Sequence, residues 1–214
     1  MCSHYEAATQ KQLALAFGIE IDEQGKLDLW PGYLGPFIRR PQHADPGDEA
    51  SPDLEVLPGS FGLIPGWSKD AKIARRTYNA RSETVADKPS FRNAWRRAQH
   101  CIIPAAAIYE PDWRTGKAIA TRITRADLEP MGIAGLWERW HNPAGEVVHS
   151  YTMLTVNADN HVFMRNYHKP DDEKRMVVIL PRGLYNAWLD APVSESAGFM
   201  RQYPADRLVV AEPA

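Results

Sequence analysis

The chain has 214 residues, 44% of them hydrophobic and 24% charged, with a formal net charge of −2. That content fits one packed domain over residues 1–214, with a tail from about 203 expected to be peripheral. No apolar run approaches the ~20 residues needed to span a bilayer, residues 1–13 lack the apolar stretch of a leader, and Cys2 and Cys101 are too few for a disulfide framework, so a cytoplasmic protein with no membrane partner is expected, a monomer by default.

Apolar spacing at Leu13, Ala14, Ala16 and Phe17 predicts a helix over 6–17 that stops at Gly18. Ten Pro and Gly residues between 31 and 59 predict loops, with one short strand around Phe37-Ile38. Residues 61–64 read as a short strand ended by Pro65-Gly66, and residues 89–98 as a helix capped by Ser90. From Cys101 the pattern turns to β. Strands are predicted over 101–103 and 105–110, broken at Pro104, then over 118–123, 131–140 and 147–156, with turns at Thr115-Gly116 and 142–145. Residues 176–180 form a further strand, and Pro181 opens a helix through Trp188-Leu189. Hairpin-linked strands with helices at the ends predict an α+β fold with a mostly antiparallel sheet.

The small net charge conceals a strong asymmetry. Residues 20–59 carry nine acidic and three basic side chains, a local net of −6; residues 69–97 carry nine basic and three acidic, a local net of +6. A concentrated basic segment in a mildly acidic chain points to an anionic partner, nucleic acid first; the plain alternative is a solvated surface.

Cys2 follows Met1 directly. Removal of Met1 leaves an α-amine and a thiol on adjacent carbons, both partly nucleophilic near neutral pH. Such an aminothiol condenses with an aldehyde and closes a thiazolidine ring. Four further clusters accompany it: residues 78–83 in the basic segment, Glu110 at the end of an apolar run, His168 before the final strand, and residues 61–67, whose aromatics beside a basic segment suit base stacking or core packing. Cys2, His4, His100 and Cys101 lack metal-ligand spacing, so no metal is expected. There is no Walker A and no GxGxxG motif.

Taken in order, the Met-Cys start, FGLIPGW (61–67), YNARSET (78–84), PSFRNAW (89–95), CIIPAAAIYE (101–110), IAGLWERW (133–140), MLTVNAD (153–159) and HKPDDEKRMVVIL (168–180) resemble the SOS-response-associated peptidase family, the abasic-site-processing proteins. The resemblance runs from residue 1 to about 190. It implies a compact domain with a barrel-like β core flanked by helices, a basic cleft and no cofactor. It implies that the protein shields abasic sites in single-stranded DNA through a covalent thiazolidine at Cys2, after removing its own Met1. By motif the catalytic set is Cys2, Asn79, Glu110 and His168, with His161 as an alternative histidine. Arg81 would fork onto phosphate, and Trp67, His4, Arg75 and Arg76 join it as expected DNA contacts.

The chain also departs from the family pattern. Many members begin MCGR, where this one has Ser3 and His4; Phe61 stands in place of a usual tryptophan; and a compact HxRMP motif is stretched between His168 and Val177. Two other functions remain open at this point: an N-terminal-nucleophile amidohydrolase acting on other substrates, and a noncovalent single-strand binder.

Overall fold

The computed structural model describes residues 2–42 and 53–211. Three carboxylates of the acidic segment (Asp45, Asp48 and Glu49) lie outside them, as does Met1. The elements in chain order are β1 (Tyr5–Ala7), α1 (Gln10–Phe17), β2 (Asp28–Leu29), β3 (Leu34–Arg39), β4 (Glu55–Phe61), β5 (Asn79–Arg81), α2 (Arg92–Arg96), β6 (His100–Asp112), β7 (Ile119–Arg125), β8 (Met131–His141), β9 (Val147–Asn157), β10 (Arg175–Val177), β11 (Ile179–Leu180), α3 (Tyr185–Asp190), α4 (Val193–Ser196) and β12 (Leu208–Val210).

Five strands close into a barrel. β6 pairs with β8, β8 with β9, β9 with β4, β4 with β3, and β3 returns to β6. Only the β4–β9 contact is parallel among these five. The remaining strands extend the wall, and the short helices sit outside it. This is the α+β, mostly antiparallel, barrel-like fold expected. Closure removes the exposed strand edges that an open sheet would leave. Inside, Phe37, Phe61, Tyr151 and Tyr5 are fully buried. The two tyrosine hydroxyls meet at 2.5 Å, satisfying one another where no water reaches. A side chain at Gly35 would strike both of them, so the barrel wall needs a glycine there.

Several predicted elements differ in extent. The first helix starts at Gln10, not residue 6, because residues 5–7 are claimed by the sheet and Thr9 then caps the helix in a reciprocal bond pair with Gln12. Gly18 ends it in the left-handed region, as predicted. Pro104 does not break its strand. It lies where the neighbour of β6 changes from β3, at Ile102, to β1, at Ala105, so its missing N–H costs no ladder bond, and its carbonyl still accepts from the Ala8 N–H at 2.9 Å. Ser90 does not cap α2, which begins after Phe91 with no side-chain cap. The single strand predicted over 31–59 proves to be a paired set, β3 against β4, with Pro36 opposite Pro58. Residues 61–64 leave the sheet at Gly62 rather than forming a strand. The segment after 203 adds β12 to the edge of β7.

Candidate functional site

The register of β1 on β6 sets the site. Tyr5 stands opposite Ile108, and the Tyr109 N–H donates to the His4 carbonyl at 2.9 Å. The N-terminal segment therefore runs antiparallel to the strand that carries Glu110. Cys2 is only 1% exposed, and its thiol donates to the His4 carbonyl oxygen at 3.3 Å. Asn79 opens β5, which lies parallel to β9 with Asn79 beside Met153. From there its Nδ2 donates to the Cys2 carbonyl at 2.8 Å.

Glu110 is also 1% exposed, near the end of β6. The His168 N–H donates to the Pro111 carbonyl at 2.8 Å, and Tyr167 bridges to Asp112. This docking carries the His168 ring to Glu110, with Nε2 at 2.9 Å from Oε2. His168 adopts φ +66, an uncommon conformation for a residue with a side chain. The loop behind it is tied down by Lys174, whose buried ammonium donates to the carbonyls of Lys169 and Pro170. The Lys174 backbone is itself held, its N–H by Asp159 at 2.7 Å and its carbonyl by Ala158 at 2.7 Å.

The electrostatics follow from this enclosure. Burial, and next the Glu110 carboxylate, push the Cys2 thiol far above its ordinary range. The Tyr78 hydroxyl is raised by burial and then by Cys2 and Glu110. A buried thiol kept protonated near a carboxylate is suited to reactions in which its proton leaves as its sulfur bonds. Four residues from distant parts of the chain thus converge: Cys2, Asn79, Glu110 and His168. His161 is engaged elsewhere. It is buried, accepts from the Met164 N–H at Nδ1 (3.0 Å), and sits with Nε2 at 2.7 Å from the Tyr203 carbonyl. That pattern is one of a neutral ring serving the backbone.

The expected DNA contacts stand in different settings. Asn79 and Arg81 are two apart on β5 and share a face. Arg81 is half exposed and pairs with Glu173 at 2.7 Å. Arg75 and Arg76 are exposed at the end of a 3-10 turn, Ala71–Arg76, that Asp70 caps. Trp67 is 54% exposed, with its Nε1 donating to the Pro89 carbonyl at 3.2 Å. All nine basic side chains of residues 69–97 are exposed. His4 is placed differently: its ring lies between Trp30 and Tyr109, each 4.0 Å away, and it pairs with Asp28. Sequence reasoning missed Tyr78, Lys174 and Glu173 as individuals. Tyr78 lay in a flagged cluster, but the other two gain meaning only from the folded loop.

Among the described residues no cluster of His, Cys, Asp and Glu is arranged to hold a metal ion, and no helix is long and apolar enough to cross a membrane. The family model described as SOS response associated peptidase (SRAP) matches residues 1–212. A Bacillus subtilis protein named abasic site processing protein YoqW is 36% identical over 133 residues, covering 61% of this chain and 55% of that protein. The rat abasic site processing protein HMCES is 24% identical over 235 residues, covering 88% of this chain and 64% of its own. The chain thus spans about half to two thirds of the length of these curated relatives. Among solved structures, a protein from Bordetella bronchiseptica is 50% identical with a TM-score of 0.88, covering 98% of both chains. A protein from Bacteroides thetaiotaomicron, 22% identical with a TM-score of 0.79, covers 98% of this chain and 90% of its own and shares the fold.

Proposed function

The chain belongs to the SOS response associated peptidase family, and from that premise we propose that it processes abasic sites in single-stranded DNA by forming a covalent thiazolidine through Cys2. The observation that carries the reading is a linked set: Asn79 on the Cys2 carbonyl at 2.8 Å, His168 on Glu110 at 2.9 Å, and the Glu110 carboxylate acting on the Cys2 thiol. The names of its relatives agree with abasic-site processing.

Hydrolysis of the Met1–Cys2 peptide consumes one water and frees the Cys2 amine. Glu110 passes the proton that the departing amine nitrogen needs. The ring-opened sugar of an abasic site presents an aldehyde. The amine adds to it, and loss of one water gives an imine. The Cys2 sulfur then bonds to the imine carbon while the thiol proton moves to the nitrogen, closing the five-membered ring. A protonated, buried thiol supplies that proton in place, and Glu110 with His168 relays it. Asn79 holds the Cys2 backbone so that amine and thiol face the same carbon. The exposed basic side chains of residues 69–97, with Arg75 and Arg76 among them, take the phosphates, and Trp67 offers a ring face to a base. The protein acts as a monomer, in the cytoplasm.

The amidohydrolase reading is less well supported. A cysteine that attacks amides works as a thiolate, and both burial and Glu110 oppose that form of Cys2.

The test is a denaturing gel of the protein with a single-stranded oligonucleotide bearing one abasic site, beside Cys2→Ala, with intact mass reporting Met1. A heat-stable shifted band that requires Cys2 is expected. Absence of that band from protein shown to lack Met1 would overturn the proposal.

A further inference from the structure

The Arg81–Glu173 pair plays no part in the chemistry above. Arg81 Nη1 lies 2.7 Å from Glu173 Oε2, with the side chains 47% and 35% exposed. Glu173 is anchored from behind. Its Oε1 accepts from Arg175 Nη1 at 2.8 Å and from Asn157 Nδ2 at 3.2 Å. Arg175 is 2% exposed and grips Glu83 through both of its terminal nitrogens, at 3.0 and 2.8 Å, and the Thr155 carbonyl at 2.8 Å. Arg175 holds the Glu173 carboxyl below the usual carboxylate range, so it is ionised at neutral pH. In this network Glu173 is fixed, and Arg81 is the member with the larger solvent face.

Arg81 shares its strand face with Asn79, which touches Cys2. A phosphate that approaches Arg81 from solvent meets a guanidinium already neutralised by a carboxylate. We propose that Glu173 is a specificity-determining residue, occupying Arg81 in the free protein so that a DNA phosphate must displace it. The inference rests on the reading that this face meets DNA. Its consequence is a threshold. A lone anion gains little by exchanging one carboxylate for itself, since an exposed ion pair is of small worth either way. A strand that also engages Arg75, Arg76 and the rest of the basic segment brings enough additional contacts to carry the exchange. Glu173 thus lowers the affinity of every strand that uses Arg81 by the same factor, and only a strand with enough further contacts binds in spite of it.

The experiment uses the Cys2→Ala protein, so that crosslinking chemistry does not enter. Fluorescence anisotropy with an undamaged single-stranded oligonucleotide is measured over a salt series for this protein and for its E173Q, E173A, R81A and R81A/E173Q forms. E173Q and E173A are expected to bind about two- to fivefold tighter, the span of one exposed ion pair. The slope of log affinity against log salt should steepen by up to about 0.7, because an Arg81 that Glu173 no longer neutralises brings its full charge to one phosphate. In the R81A background the gain should vanish. If Glu173 merely supports the loop, both substitutions weaken binding, and the proposal fails. A gain of the same size without Arg81 also overturns it, because Glu173 then acts only as a general negative charge. Binding by the Cys2→Ala parent with no tightening in either variant overturns this inference alone; no salt-dependent binding by any form overturns the DNA reading with it.

Discussion

Asn79 Nδ2 donates to the Cys2 carbonyl oxygen at 2.8 Å, across 77 positions of sequence. This bond ties the reactive residue to β5. Asn79→Ala removes the donor and should slow abasic-site crosslinking about threefold to tenfold, the worth of one hydrogen bond. Asn79→Asp should cost more, because it adds a negative charge facing the Cys2 carbonyl. Rates from quenched gel time courses would check the order; equal rates for wild type and Asn79→Asp would contradict it.

Glu110→Gln keeps the shape of the buried carboxylate and removes its charge. Met1 loss and crosslinking should each fall by about a hundredfold or more, the scale of a lost general acid–base group. A second readout moves the other way. The Glu110 charge is one cause of the raised Cys2 thiol, second to burial. Removing it lets the thiol ionise at lower pH, so iodoacetamide should modify Cys2 faster in the variant above pH ~8. Mass spectrometry of the alkylated N-terminal peptide measures this.

The two histidines before the last strands separate function from support. His168 faces Glu110, while both ring nitrogens of His161 serve backbone groups. His168→Ala should retain its melting temperature within a few degrees and lose crosslinking. His161→Ala should lose about 1–3 kcal/mol of stability, the cost of leaving buried backbone groups unmatched. Thermal melts with crosslinking assays on both variants give the comparison.

What the sequence made legible was pattern. Apolar runs bounded by turn signals at residues 131–140 and 147–156 marked two barrel strands nearly to their ends, and the ordered motifs named Cys2, Asn79, Glu110 and His168. What it hid was register and partnership. Pro104 reads locally as a strand breaker, and only the change of neighbour along β6 explains why the strand runs through it. Residues 6 and 7 fall within the predicted helix, yet pairing with β6 outweighs that preference. His4 reads as a DNA contact, but its ring is taken up between Trp30 and Tyr109, residues that nothing in their own neighbourhood connects to it. Lys174 and Glu173 look like parts of an ordinary charged loop. Their roles depend on which carbonyls and which arginine the fold brings to them.

His100 supplies a pH dependence unconnected with the proposed chemistry. It is buried, stacks on Trp188 at 3.9 Å, contacts Trp95, and has Nε2 3.0 Å from the Ser196 hydroxyl. Burial pulls its pKa down to about 4 from an ordinary 6.5. The unfolded chain takes up this proton near 6.5 and the folded one resists it until about 4. The stabilising effect is therefore fully present above 6.5 and is lost as the pH falls from 6.5 towards 4, in total roughly 3 kcal/mol. Urea unfolding of wild type and His100→Phe at several pH values in that window should show the difference between them shrinking on acidification. A constant difference would remove His100 as the cause.

Gly62 tests whether the basic segment depends on the barrel for its placement. Its φ of +118 is open to glycine and strained for other residues, and an added Cβ would collide with the Ala74 carbonyl. The same stretch fastens the segment to the barrel: the Gly62 N–H donates to the Tyr151 carbonyl at 2.8 Å, and the Thr77 hydroxyl donates to the Leu63 carbonyl at 2.7 Å. Gly62→Ala cannot keep both the backbone conformation and the contact with Ala74. It should lower stability by about 3 kcal/mol, the combined scale of a strained backbone and an overpacked contact. Because Trp67, Arg75 and Arg76 lie within the displaced segment, single-strand binding should fall further than this loss of stability alone explains at temperatures where the variant remains folded. Circular dichroism melts paired with anisotropy titrations would decide it: a variant that melts early yet binds DNA as wild type does would mean that the basic segment holds its place without this junction.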